Sequence, residues 1–247
     1  MLYPKNKERS LSAELFKNPT SEYRGTPFWA LNSHLTKEEL CRQIEIFKKM
    51  GLGGFHMHVR TGMSTHYLSD EFMSLIKCCC EKADKEHMLA WLYDEDRWPS
   101  GAAGGYLTKN KKFRQKIIEF RPDRIEAVDF EEGYAEGKPY LLACYDIRLN
   151  PDGTLCEYSK ADKSRQPAGE RWFAYVKTTE ERGWFNGQAY VDTLSDDAMA
   201  EFAQITYNAY EKNVGDKFGN SIHAIFTDEP QYAKKTVLPF AKEKSVV

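Results

Sequence analysis

The run Phe226-Thr-Asp-Glu-Pro230 sets two carboxyls side by side directly after a short apolar stretch. In an extended strand successive side chains alternate, so Thr227 and Glu229 share one face and Asp228 takes the other. A carboxyl where a buried strand meets a pocket can have a raised pKa, and a protonated acid there can give its proton to a glycosidic oxygen. Glu229 is therefore a candidate general acid, with Pro230 holding the backbone after it. A solvated acidic loop or a helix N-cap would use the same residues. A second acidic run, Asp94-Glu95-Asp96-Arg97-Trp98-Pro99-Ser100-Gly101, offers three carboxyls, a guanidinium and an indole. Hard oxygens of this kind can coordinate a cation, bond sugar hydroxyls or supply a second catalytic carboxylate, and Trp98 can stack on a sugar face. The bland alternative is an Arg–Asp network holding a long loop. His56 and His58 form an H-x-H pair that points one way from a strand. Such pairs hold the metal in many metal hydrolases, so an amidohydrolase-type enzyme competes with sugar binding and with plain packing. That reading wants further His or Lys at later strand ends, and His223 stands at the start of its strand.

These groups share one position. Asn32 with His34, then His56, His58 and Arg60, then Asp94 to Arg97, then Asp228 and Glu229 each follow an apolar run. The runs are PFWALN (27–32), GGFHMHV (53–59), MLAWLYD (88–94) and IHAIFTD (222–228), all short enough for strands. Helical patterns separate them. Thr36 to Glu39 reads as a capping box, with the Thr hydroxyl on the amide three residues on and the Glu reaching back. Leu40, Ile44, Phe47 and Met50 follow at helical spacing, and Gly51 stops the helix. Ser69 or Asp70 caps a second helix, with Phe72, Leu75, Ile76, Cys79 and Ala83 on one face. A third spans about Asp196 to Val214, with Met199, Phe202, Ala203, Thr206 and Tyr210 on one side.

Strand and helix in alternation predict a parallel sheet with covering helices, and in such folds ligands bind at the C-terminal strand ends. The expected architecture is α/β, a TIM-type (β/α) barrel present as its first four β/α units. Residues 1–26 form an N-terminal extension, 27–105 the first three units, and 195–247 the third helix and fourth strand. Residues 106–194 interrupt the rhythm with YLLACYDIRL, the turn Asn150-Pro-Asp-Gly153, TLCEY, WFAYVKT and QAYVDT, which predict a small β-rich insertion. A closed barrel needs eight strands and roughly 250 residues. The missing half is expected from the rest of a longer chain or from another copy, with FAKEKSVV reading as a beginning rather than a close. A small open sheet is the other possibility.

Composition narrows the partners. With 41% hydrophobic and 29% charged residues the chain is globular. A net charge of -2 builds no field to collect nucleic acid or anionic lipid, so neither is expected as a partner. MLYPKNKERS lacks the apolar core of a signal peptide and no apolar stretch reaches 18 residues, so a cytoplasmic location is expected. Six cysteines without a CxxC pair disfavour a zinc cage and fit a reducing compartment. No GxSxG occurs, and GAAGG lacks the GKS/T ending of a phosphate loop.

Together PFWALN, MGLGGFHMHVRTGMSTHYLSDEF, AWLYDEDRWPSGAAGG, VDTLSDDAMAEFAQITYNAYEKNVGDKFG and IFTDEP resemble the N-terminal catalytic region of glycoside hydrolase family 106 and its relatives, which are α-L-rhamnosidase-like. The similarity runs from about Tyr23 to Pro230 and is weakest in the insertion. It implies a (β/α)8 barrel in a protein several times longer, with β-sandwich domains following. It implies an inverting mechanism, in which one acid protonates the leaving oxygen and a second carboxylate activates water. It implies a calcium ion (Ca2+) near the sugar, and it carries the acid to Glu229. The base lies beyond this sequence, so the chain alone is expected to be inactive. Asn32, His56, His58, Arg60, Asp94, Glu95, Asp96, Arg97, Trp98 and Asp228 then shape the site of a carbohydrate substrate. A non-catalytic sugar-binding remnant would likewise bind without turnover.

Overall fold

The computed structural model describes residues 9, 10, 12–129, 137–161, 166, 167, 169–232, 236, 237 and 244–246. In chain order the elements are α1 (Ala13–Lys17), β1 (Phe28–Leu31), α2 (Lys37–Lys49), β2 (Gly54–Val59), α3 (Asp70–Glu86) and β3 (Leu89–Tyr93). Then come β4 (Lys116–Arg121), β5 (Val128–Asp129), β6 (Tyr140–Leu149), β7 (Leu155–Lys160) and β8 (Glu170–Thr178). The chain closes with α4 (Asp196–Phe202), α5 (Asn208–Val214), β9 (Ile222–Phe226), β10 (Thr236–Val237) and β11 (Lys244–Val246). No helix among the described residues is long and apolar enough to cross a membrane. The chain divides into two units, Met1–Leu107 with Met199–Pro230, and Thr108–Ala198 with Gln231–Val247.

The first unit is mixed α/β. Its sheet has the order β1-β2-β3-β9, and every neighbouring pair is parallel. Helix α2 packs on α3 and α3 on α5, so the helices lie side by side along one face. Between them and the sheet sits the core. Trp29 and Leu31 of β1, Phe55, Met57 and Val59 of β2, and Ala90 and Leu92 of β3 meet Leu40, Ile44, Phe72, Ile76, Cys79, Ala83, Tyr210 and Val214. The period of two on the strands and of 3.6 on the helices thus converge on one apolar layer. Among the described residues the sheet does not close into a barrel.

The caps follow the sequence with one change. Thr36 Oγ1 accepts from the Glu39 amide at 3.4 Å and Ser69 Oγ from the Phe72 amide at 3.1 Å. Glu39 does not reach back. Its carboxylate takes Arg42 at 2.6 and 2.7 Å and Gln43 at 2.7 Å, because a guanidinium three residues on satisfies both oxygens where the box would use one. Ser69→Ala should cost about 1 kcal/mol, since Phe72 N–H loses its acceptor at the start of the longest buried helix. Chemical denaturation reads this directly, and a midpoint unchanged from the parent would remove Ser69 as a cap.

The third helix is not a single α-helix. Residues Ala203–Tyr207 are a π-turn between α4 and α5. Thr206, Tyr210 and Val214 are buried, while Met199, Phe202 and Ala203 are only partly so. The wide turn changes the phase, which a 3.6 repeat read straight through the run does not anticipate.

The second unit is β-rich. Its sheet runs β10-β11-β4-β8-β6-β5, with β7 also pairing β6, and is antiparallel except for β5 with β6. Asn150-Pro-Asp-Gly153 makes the predicted hairpin, with Gly153 at φ 82° and its amide 2.9 Å from Asn150 O. Leu141, Cys144 and Tyr175 form a small core with Phe173, and Glu119 is buried between Arg121 and Lys177. QAYVDT is not a strand. It is pinned by the bridges Arg182–Gln188 and Arg114–Val191 between two turns, too short a span for a ladder. Gln231 onward also departs from the expected boundaries, since β10 and β11 pair through β4 and belong to this unit rather than to the parallel sheet. Residues 1–8 of the N-terminal extension, and 240–243 and 247 of FAKEKSVV, lie outside the described residues.

Candidate active site

The sheet face turned away from the helices carries His56 and His58. The alternation that sends Phe55, Met57 and Val59 to the core sends His56 and His58 the other way. His56 lies across from Phe28 and Trp91 in register and stacks on both rings, at 5.2 and 4.6 Å. Burial pushes its pKa down. His223 stands edge-on to Trp91 at 4.4 Å, at the far end of the sheet from the C-terminal strand ends. One layer up, His58 is 1% exposed and stacks on Tyr93 at 3.9 Å. Phe226 of β9 packs against Phe28, His58 and Tyr93.

Asp228 ends this layer. Its Oδ2 accepts the Tyr93 hydroxyl proton and lies 3.4 Å from His58 Nε2. Burial works against its charge, yet the bonds from His58 and Tyr93 outweigh it and hold the carboxyl below its ordinary value. Burial and the Asp228 carboxylate together push the Tyr93 phenol far up. Asp228 is thus an ionised, partly buried acceptor at the C-terminal end of β9.

The loop after β3 turns its acids inward. Asp94 is 1% exposed, with Oδ1 accepting from Ser100 Oγ at 2.6 Å and Oδ2 from Tyr207 OH at 3.0 Å. Burial raises its pKa against those bonds. Ser100 Oγ also accepts the Asp228 amide at 2.9 Å, which ties the β3 loop to the end of β9. Glu95 is equally buried. Its two oxygens accept the backbone N–H groups of Asp96, Gly101, Ala102, Ala103 and Gly104. Burial pushes this carboxyl up to about 7, while the amides of Gly104, Asp96, Gly101 and Ala103 draw it the other way. All five of these hydrogen-bond partners are donors, an arrangement that favours the carboxylate. Asp96 is half-buried and paired with Arg97 at 2.7 Å. Of the Arg–Asp network left open by the sequence only the Asp96–Arg97 pair is present, while Asp94 and Glu95 bond hydroxyls and backbone amides.

The outward groups form a rim. Trp98 donates its indole N–H to Glu229 Oε2 at 2.9 Å, and Glu229 is exposed. Asn32 and Arg60 are exposed at the ends of β1 and β2, and Arg97 is half-buried. An exposed carboxyl beside a flat indole, with a recessed carboxylate one residue away, suits a polar ligand that has an apolar face. Of the residues singled out in the sequence, Asp228, His58 and His56 share the inner face, and Glu229 and Trp98 meet at the rim. Tyr93, Ser100 and Tyr207 were not singled out. Tyr93 follows Trp91 at the strand period and Ser100 lies within the loop already noted, so both carried a signal; Tyr207 is masked by the π-turn.

Among the described residues no group of three or more His, Cys, Asp or Glu converges to hold a metal ion. His58 Nε2 lies against Asp228, while His56 is stacked between Phe28 and Trp91. Asp94 and Glu95 of the β3 loop have both oxygens taken by protein donors, whereas Asp96 is paired through Oδ2 with Arg97.

No family model matches the chain, and no curated protein matches it. The solved structure of a rhamnosidase from Novosphingobium sp. PP1Y is similar over 58% of this chain, at 15% identity and a TM-score of 0.37. The matched region covers 17% of that protein, so this chain spans a small part of its length. The chain is mixed α/β with a parallel sheet, and its likeness to a rhamnosidase is weak.

Proposed function

We propose that the first unit is the leading half of a TIM-type glycoside hydrolase barrel, α-L-rhamnosidase-like, with Glu229 as general acid. The observation that carries this reading is the rim pair: an exposed Glu229 carboxylate bonded to the Trp98 indole, at the C-terminal end of the last parallel strand. A sugar stacked on Trp98 would bring its glycosidic oxygen within reach of Glu229, and the carboxyl must gain a proton there before it can act. The sequential order β1-β2-β3-β9 also supports a singly wound barrel, since doubly wound sheets reverse direction at a switch point. So does the aromatic inner face, which an eight-stranded barrel would enclose. Asp228, Arg60, Asn32 and Arg97 contact sugar hydroxyls in this reading. His56 and His58 shape the floor, and Asp94, Glu95 and Asp96 keep Trp98 in place.

The base comes from later strands, so this chain binds without turnover. Hydrolysis of p-nitrophenyl glycosides, α-L-rhamnoside included, tests the reading on this chain and on a longer protein containing it. Turnover is expected only in the longer protein, and Glu229→Gln should lower kcat by about 10²–10⁴. A variant with full rate would overturn the role of Glu229, and a longer protein that cuts none of these sugars would overturn the substrate class.

A further inference from the structure

Cys41 and Cys78 sit on neighbouring helices, α2 and α3, with their sulfurs 3.6 Å apart. Both are partly exposed, whereas Cys79, Cys80 and Cys144 are buried and Cys156 is exposed in the other unit. At 3.6 Å no atom can lie between the sulfurs, which need to close to the ~2.05 Å of a disulfide. Helix packing already fixes the two backbones side by side. We infer that Cys41 and Cys78 are a dithiol modification site, which a peroxide closes into a disulfide stapling α2 to α3.

The chemistry balances with peroxide as oxidant. One sulfur attacks a peroxide oxygen, the O–O bond breaks, and a sulfenic acid and water form. The second sulfur then attacks the sulfenic sulfur, the S–O bond breaks and a second water leaves. Two electrons pass from the sulfurs to the peroxide. Cys78 is pushed up to about 11 by burial and by its bond with Cys41, so it rests as a thiol at neutral pH. Cys79 and Cys80 are shut off from solvent, which leaves Cys78 as the accessible member of its run.

The full chain, treated with hydrogen peroxide and then digested without reductant, tests this. The expected result is a monomer lighter by two hydrogens, one linked peptide pair joining Cys41 to Cys78, and a melting temperature raised by roughly 5–10 °C over the reduced protein. Cys41→Ser and Cys78→Ser should each abolish the link and the shift, and dithiothreitol should reverse both. A folded protein that keeps its mass, that forms a different pair, or that links only between chains overturns the inference.

Discussion

Glu95→Ala is expected to destabilise the protein by about 4 kcal/mol. The carboxylate is 1% exposed and serves five backbone N–H groups of its own loop. Alanine leaves those donors facing each other in a buried pocket, and each stranded donor costs ~1–3 kcal/mol. Losing a desolvated charge offsets part of this, and water entering the vacated space offsets more, so the sum falls short of five full penalties. Glu95→Gln is expected to do little better. Its carbonyl oxygen can replace one acceptor, but its amide nitrogen turns two more donors into a site that contains only donors. Thermal denaturation followed by circular dichroism should show both variants melting roughly 10 °C below the parent. A pair of melts within a degree or two of the parent would mean that the loop does not depend on this carboxylate. Glu95 would then be free for a ligand, as the sequence first suggested.

Gly54→Ala should be of similar size for an unrelated reason. Gly54 opens β2 directly opposite Leu89 in β3. A β-carbon there would fall on the Leu89 carbonyl, about 3.0 Å from its carbon and closer still to its oxygen. Backbone cannot rotate away as a side chain would, so the two parallel strands must separate at their first pair. Overpacking of this kind costs about 3 kcal/mol or more. Gly25→Ala is the control, because the added carbon meets only Leu52 Cδ2, at an ordinary 3.6 Å. Equal denaturation midpoints for the two variants would show that β2 and β3 tolerate a wider gap than their register implies.

Most of the parallel unit was legible in the sequence. Short apolar runs, Thr36 and Ser69 as caps, and Gly51 after α2 are local signals, and each local preference agrees with the tertiary outcome. The inner-face histidines were also legible, since a period of two is enough to put His56 and His58 together. Partner choice was not. Whether Glu95 looks out or curls into its own loop depends on backbone amides that converge on it where Gly101 and Gly104 adopt positive φ. Side-chain types carry no record of that. The strand in QAYVDT failed for a related reason: its composition suits a strand, but the turns on both sides leave room for single bridges only. Tyr207 was hidden because its helix changes period midway.

That change of period bears on how this chain should be aligned with others. A π-turn holds one residue more than the α-turn it replaces. A relative lacking one residue between 203 and 207 would keep a continuous α-helix, with the residues on either side of the turn still on the faces they occupy here. A single-residue gap placed there is structurally cheap. The same gap placed a few positions later would move Tyr210 away from the Tyr93 carbonyl that its hydroxyl reaches at 2.8 Å. Alignments scored on residue identity alone treat these positions as equivalent, although only one of them leaves the floor beneath Asp228 intact.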